Sequence, residues 1–266
     1  MIRHAPSIGL GLGLSLRGYG IGETSAFSAE ALNYFSRLDT AGDTDYIPYK
    51  QPLANYIDAL VNLGGAYWDD MESAASFVGV GIEGVAVPLK DGMPTITNNN
   101  FVDADLDQLT GLKGDGSTKY LNTNVSTSAL SLDDHSLSVF LSDTRDSATG
   151  RYISGAAGNL SVLGNTTSGF RARSATSTLD TLGSSTATNA IIGISRNNSA
   201  NYDWRYGTSG TQVTPSVSLS VADIMVFSDG ANETAARLAT YHVGAALDLA
   251  VLEGLQATLI AEIAAI

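Results

Sequence analysis

From about Asn100 onward, apolar residues recur at every second position in short runs, each cut off within a few residues by Ser, Thr, Asn or Gly. Leu137, Val139 and Leu141 alternate, as do Leu160 and Val162, and later Val217, Leu219 and Val221. Period two sends successive side chains to opposite faces of an extended strand, so each run buries its apolar face only by stacking on a second sheet. Residues 190–194 form an unbroken apolar run, the pattern of a strand covered on both faces. Short strands separated by turn residues predict a mainly β fold, an antiparallel β-sandwich.

A chain of 266 residues with 44% hydrophobic residues can bury a sizeable core. Only 15% are charged, and 14 basic against 27 acidic residues leave a net charge of −13. The basic residues are scattered, whereas a nucleic-acid groove needs them clustered, so nucleic-acid binding is disfavoured. The absence of cysteine excludes disulfides and thiolate metal sites. No apolar run approaches the roughly 18 residues of a membrane-spanning helix, and no membrane insertion is expected.

Residues 8–16 alternate strictly: Ile8, Leu10, Leu12, Leu14 and Leu16 share one face, with glycine or serine on the other. Alternating glycines make a poor helical leader sequence. The stretch is read as an extended Gly/Leu arm (residues 1–26), either an edge strand of the chain's own sheet or an arm that augments a neighbouring subunit. Helical signals follow over 27–96, a small helical or mixed module. Ser28 can cap a segment in which Ala31, Leu32, Phe35 and Leu38 share a face. Pro52 opens a second helix carrying Leu53, Tyr56, Ile57, Leu60 and Leu63, which Gly64 and Gly65 terminate. A shorter helical turn is expected over 68–77.

The sandwich is expected over 97–247. Its last strand, residues 222–229, is predicted to lead into a helix capped by Asn232, with Ala235, Leu238, Ala239 and His242 on one side. A C-terminal helix over 248–266 places Leu252, Leu255, Leu259, Ile263 and Ile266 at three- and four-residue steps. That stripe either docks on the domain itself or packs between copies.

One turn is more specific. Leu112 precedes Gly114-Asp115-Gly116-Ser117, after which Lys119, Tyr120 and Leu121 resume an extended segment. This resembles the opening hairpin of concanavalin A-like (laminin-G-like) jelly-roll domains. Residues 224–247 resemble the closing strand and helix of the same domains, although Asp223 stands where their strand carries a glutamate. Residues 54–68, 85–90, 94–101, 110–121 and 241–250 together resemble a family of tailed-phage structural proteins, covering most of 50–266. The resemblance implies a concanavalin A-like jelly roll with a small helical N-terminal module and C-terminal helices. It also implies a virion location, other virion proteins as partners, and a homo-oligomer, with a trimer as the working guess. Tail or appendage is favoured over capsid decoration.

Tests for chemistry are negative. Gly79, Gly81 and Gly84 form a literal G-x-G-x-x-G, but Val85-Ala86-Val87-Pro88 follows where a dinucleotide fold needs a helix to begin. The glycines are assigned to turns, and no cofactor is expected. Asp103, Asp105 and Asp107 alternate like the start of an EF-hand loop. The loop's glycine and glutamate positions, however, hold Gln108 and Gly114, so the residues are read as a solvated acidic loop and no metal is assigned. The histidines, His4, His135 and His242, lack a nucleophile elbow. The carboxylate pattern of glycosidases on the resembled fold is missing. No catalytic residue is assigned.

A binding constellation remains at 201–206. Tyr202, Trp204 and Tyr206 alternate on one strand face, with Asp203 and Arg205 on the other. Tyr202, Trp204, Tyr206 and Arg205 are candidate ligand contacts, because aromatic faces stack on sugar rings; the same row also suits the inward face of a sandwich. Leu10, Leu12, Leu14, Leu255, Leu259 and Ile263 are candidate assembly contacts. The chain is expected to be a non-enzymatic phage virion component, with carbohydrate or host-surface binding as the alternative.

Overall fold

The structure is a computed structural model and describes residues 27–142, 150–155, 158–166, 169–183 and 187–266. The arm with Leu10, Leu12 and Leu14 lies outside the described residues. Helix α1 (Ala29–Ala41) starts where expected: Ser28 Oγ accepts the Ala31 N–H at 3.1 Å. It stops at Gly42, whose φ of 86° only glycine adopts easily. Helix α2 (Lys50–Leu63) ends at Gly64, whose N–H caps the carbonyls of Leu60 and Val61. A single turn, α3 (Gly65–Trp68), follows.

Fifteen strands occur among the described residues. They are β1 (Met71–Ser76), β2 (Thr97–Asn99), β3 (Leu106–Asp107), β4 (Gly111–Lys113), β5 (Tyr120–Ser126), β6 (His135–Leu141), β7 (Arg151–Gly155), β8 (Leu160–Thr166) and β9 (Gly169–Ser174). Then come β10 (Asp180–Thr181), β11 (Ala190–Arg196), β12 (Tyr202–Tyr206), β13 (Thr208–Gln212), β14 (Asp223–Val226) and β15 (Arg237–Gly244), before the last helix, α4 (Leu249–Ala264). All pairings are antiparallel. One sheet runs β13-β12-β11-β6-β15-β4-β3 with β1 also on β15; the other runs β10-β9-β8-β7-β14-β5-β2. The expected antiparallel β-sandwich is therefore what forms.

The two sheets bury their facing sides against each other. Phe77, Phe101, Phe227 and Tyr241 stack at one end, with ring centroids 5.0 to 6.1 Å apart. At the other end Phe170 of β9 meets Trp204 and Tyr206 of β12 edge-on, at 5.7 and 5.9 Å. The first sheet is covered on its outward side too. Helix α4 lies across β11 and β12, α2 packs on α4, and α1 packs on α2. That explains why every residue of β6 and β11 is buried: these strands form the middle of three layers. One hydrophobic cluster runs from Ala31 to Ile263, so helices and sandwich share a core.

Three expectations change. Residues 68–77, expected to be helical, hold strand β1, because Met71–Ser76 pairs with β15 along its length. Residues 232–247, expected to be a helix capped by Asn232, hold β15, the strand between β6 on one side and β1 with β4 on the other. Residues 217–221, expected to alternate as a strand, are irregular, and Val217 and Val221 are 71% and 80% exposed.

Candidate functional site

The outward face of the helix-covered sheet is not closed everywhere. Beyond the start of α4, strands β12 and β13 leave a cleft of about 500 Å³. Its lining includes Asn197, Asp203, Arg205, Ser209, Thr211 and Asp248. Local geometry places each of these. Asp203 and Arg205 alternate with the inward aromatics of β12, so both project outward. Opposite Asp203, Thr211 of β13 donates its hydroxyl to Asp203 Oδ1 at 2.6 Å. Arg205 is fixed by helix α4: its Nη2 and Nε both reach Glu253 Oε2 at 2.5 Å, while Glu253 Oε1 accepts the Ile191 N–H at 3.0 Å. Such an ion pair holds the guanidinium in one orientation.

The far wall is the turn into α4. Asp248 caps the helix, accepting from Ala250 N at 2.8 Å and Val251 N at 3.4 Å. Tyr67 of α3 pins the same residue, donating to the Asp248 carbonyl at 3.2 Å and accepting its N–H at 3.1 Å; burial raises the Tyr67 pKa. Ser195 of β11 ties down the neighbouring Leu247 through both of its backbone groups, at 2.7 and 2.9 Å. The cleft is thus a rigid polar trough of carboxylate, guanidinium and hydroxyl groups. It offers hydrogen bonds to a polyhydroxylated ligand. Its two acids, Asp203 and Asp248, are both engaged in fixed local bonds.

The predicted ligand row divides between two faces. Tyr202 and Tyr206 are buried in the sandwich interior, which corrects their assignment as ligand contacts: a ring enclosed by core cannot stack on a sugar. Tyr202 donates to Asp180 Oδ2 at 2.8 Å and Tyr206 to the Ala187 carbonyl at 2.9 Å; burial, with Asp180 alongside, raises the Tyr202 pKa. Trp204 borders the cleft, but its ring packs edge-on against Phe170 and over Gly210. Of the four, Arg205 presents its side chain to the cleft. Asp203, Thr211 and Asp248 also line the cleft and were not among the candidate contacts; the outward phase of β12 was the signal available for Asp203.

The expected assembly stripe on α4 is also placed otherwise. Leu259 and Ile263 are fully covered by the chain's own residues, and Leu255 packs on the same core. Of the two docking alternatives, the stripe docks on its own domain.

The aspartates at 103–107 serve turns. Asp105 Oδ2 accepts the Val102 N–H at 2.9 Å and its Oδ1 pairs with Lys119 at 2.5 Å. Asp107 accepts from Leu109 and Thr110, bonds that hold its pKa down against partial burial. No group of three metal-ligating side chains occurs among the described residues. The G-x-G-x-x-G run wraps a buried acid: Asp43 Oδ2 accepts the Gly81 N–H at 2.9 Å, and a β-carbon on Gly84 would collide with that carboxylate.

No protein-family model and no curated protein sequence matches the chain. Among solved structures it is similar to Trypanosoma rangeli sialidase in complex with the inhibitor DANA. That match has 11% identity and a TM-score of 0.48, over 80% of this chain and 38% of that one. The botulinum neurotoxin serotype D binding domain matches at 9% identity and TM-score 0.48, over 71% and 51%. Domain 4 of a GH43 arabinanase from Geobacillus stearothermophilus, in complex with arabinotriose, matches at 13% and 0.40, over 70% and 98%. This chain thus spans 38% and 51% of the first two proteins' lengths.

Proposed function

We propose that this chain is a non-enzymatic carbohydrate-binding structural protein of a tailed-phage particle, with the β12–β13 cleft as its glycan site. The observation that carries the glycan reading is the pre-set polar trough. Asp203 and Arg205 are held at fixed positions by Thr211 and Glu253, so binding a hydroxyl-rich chain costs little reorganisation. Its open form suits a stretch of polymer running along the trough. The virion setting rests on the family-like segments at 54–68, 94–101 and 110–121.

The test is calorimetric titration of the full chain with neutral oligosaccharides found on an array screen. Asp203→Ala is expected to weaken binding at least tenfold, because both a ligand acceptor and the Thr211 contact disappear. A blank array overturns the glycan reading, as does Asp203→Ala binding like wild type. Release of new reducing ends from a bound oligosaccharide overturns the non-enzymatic part. Imaging of an intact particle that lacks density for this chain overturns the virion part.

A further inference from the structure

The outer face of the second sheet concentrates positive charge in a chain where acids outnumber bases by 27 to 14. Arg171 and Arg173 lie two apart on β9. Ala172 between them is buried, and Phe170 on the same phase meets Trp204 in the interior, so both arginines project from the opposite side of the sheet. Strand β8 extends the cluster. Arg151 of β7 and Arg171 both pair with the backbone of position 163, and Ser161 pairs with Arg173. With about 4.8 Å between neighbouring strands, the backbones of Arg151 and Arg171 stand about 10 Å apart.

Among the described residues, Asp229 is the acid that lies against this cluster. Asp229 Oδ2 accepts from Arg151 Nε at 2.7 Å. Arg173 Nε reaches the Ser177 carbonyl at 3.4 Å. Burial and the repulsion of Arg151 and Arg171 lower the Arg173 pKa, with Asp229 acting the other way. Two further polar atoms lie here, Arg171 Nε and the hydroxyl of fully buried Ser161, both shielded from water and without a hydrogen-bond partner. An unmet buried polar group destabilises the fold, and like charges on one face add to that. Both penalties lift when a doubly accepting anion sits among the guanidinium forks.

We propose that Arg151, Arg171 and Arg173, over Ser161, form an oxyanion-binding site on the outer face of this sheet, separate from the β12–β13 cleft. It takes the carboxylate or sulfate group of an acidic glycan, or a free inorganic oxyanion of the same chemistry. The two sites lie on the outward sides of different sheets, so either can fail without the other.

The full chain is titrated at low ionic strength with an oligogalacturonate, a neutral oligogalactoside of equal length, and sodium sulfate. The oligogalacturonate and sulfate are expected to bind and to weaken as salt rises, and the neutral oligomer is expected not to bind at this site. Arg173→Gln and Arg171→Gln are each expected to lower oxyanion affinity at least tenfold, with the urea unfolding midpoint unchanged or raised and neutral-glycan binding in the cleft unaltered. Oligogalacturonate binding at least tenfold tighter than sulfate supports the site with a glycan source; equal affinities support it with a free-ion source. No oxyanion binding at millimolar concentration overturns the proposal, as do variants that bind like wild type.

Discussion

A single buried chain of hydrogen bonds joins the two sheets at one end. Arg196, fully enclosed at the end of β11, donates Nε to Ser174 Oγ at 3.0 Å and its Nη atoms to the carbonyls of Ser174, Asn198, Asn201 and Thr214. His135 Nδ1 faces the Ser131 carbonyl at 2.9 Å, which places the proton there. Nε2, 2.9 Å from Ser174 Oγ, is therefore the acceptor, and Ser174 relays between histidine and arginine. Ser174→Ala strands both neighbours in a dry interior. It is expected to cost about 1–3 kcal/mol, read as a lower urea midpoint with unchanged slope. Nothing in the sequence announced this network, since Arg196, Ser174 and His135 are far apart along the chain and each is ordinary where it stands. By contrast the G-x-G-x-x-G run was legible as turn glycine, but the groups that exclude side chains there lie elsewhere in sequence: Asp43 beside Gly81 and Gly84, and Tyr49 and Ile263 beside Gly79.

At the scale of elements, α4 shows how an apolar stripe is spent. Leu259 and Ile263 are buried in the same cluster as Leu53, Ile57 and Leu60 of α2, while Asn55 donates to Glu262 at 2.9 Å. Leu259→Ala is expected to destabilise by about 2–5 kcal/mol and to leave the solution mass unchanged by light scattering. A shift in mass would return the stripe to a contact between copies. The sandwich was legible where one face stayed polar or where a turn was strong, as at 114–117 and 137–141. It was illegible at β15, where Leu238, Ala239 and His242 also fall at helical steps, so the spacing fitted a helix as well as a strand. Strand β1, Met-Glu-Ser-Ala-Ala-Ser, has almost no strand propensity of its own and is made one by pairing with β15. The cleft was half legible. The alternation at 202–206 separated the two faces correctly, but which face was inward depended on Phe170, a partner 34 residues away.

At the scale of the whole molecule, two histidines are buried among the described residues. Burial lowers the pKa of both His135 and His242 to about 4. The unfolded chain takes up those protons near pH 6.5, and the folded chain only near 4, so in between protons favour unfolding. Stability is therefore full above about pH 7 and falls as pH drops toward 4, by roughly 3 kcal/mol per histidine. Urea midpoints at pH 7.5 and 4.5 check the loss. Ring resonances assigned to His135 or His242 that titrate near 6.5 in the folded protein would refute its cause. The layering has a last consequence. Among the described residues helices pad the outward side of one sheet and not of the other, so whatever grips the padded side turns the arginine-bearing side to the surroundings. A row of copies held that way would show its environment the same guanidinium groups at a regular repeat.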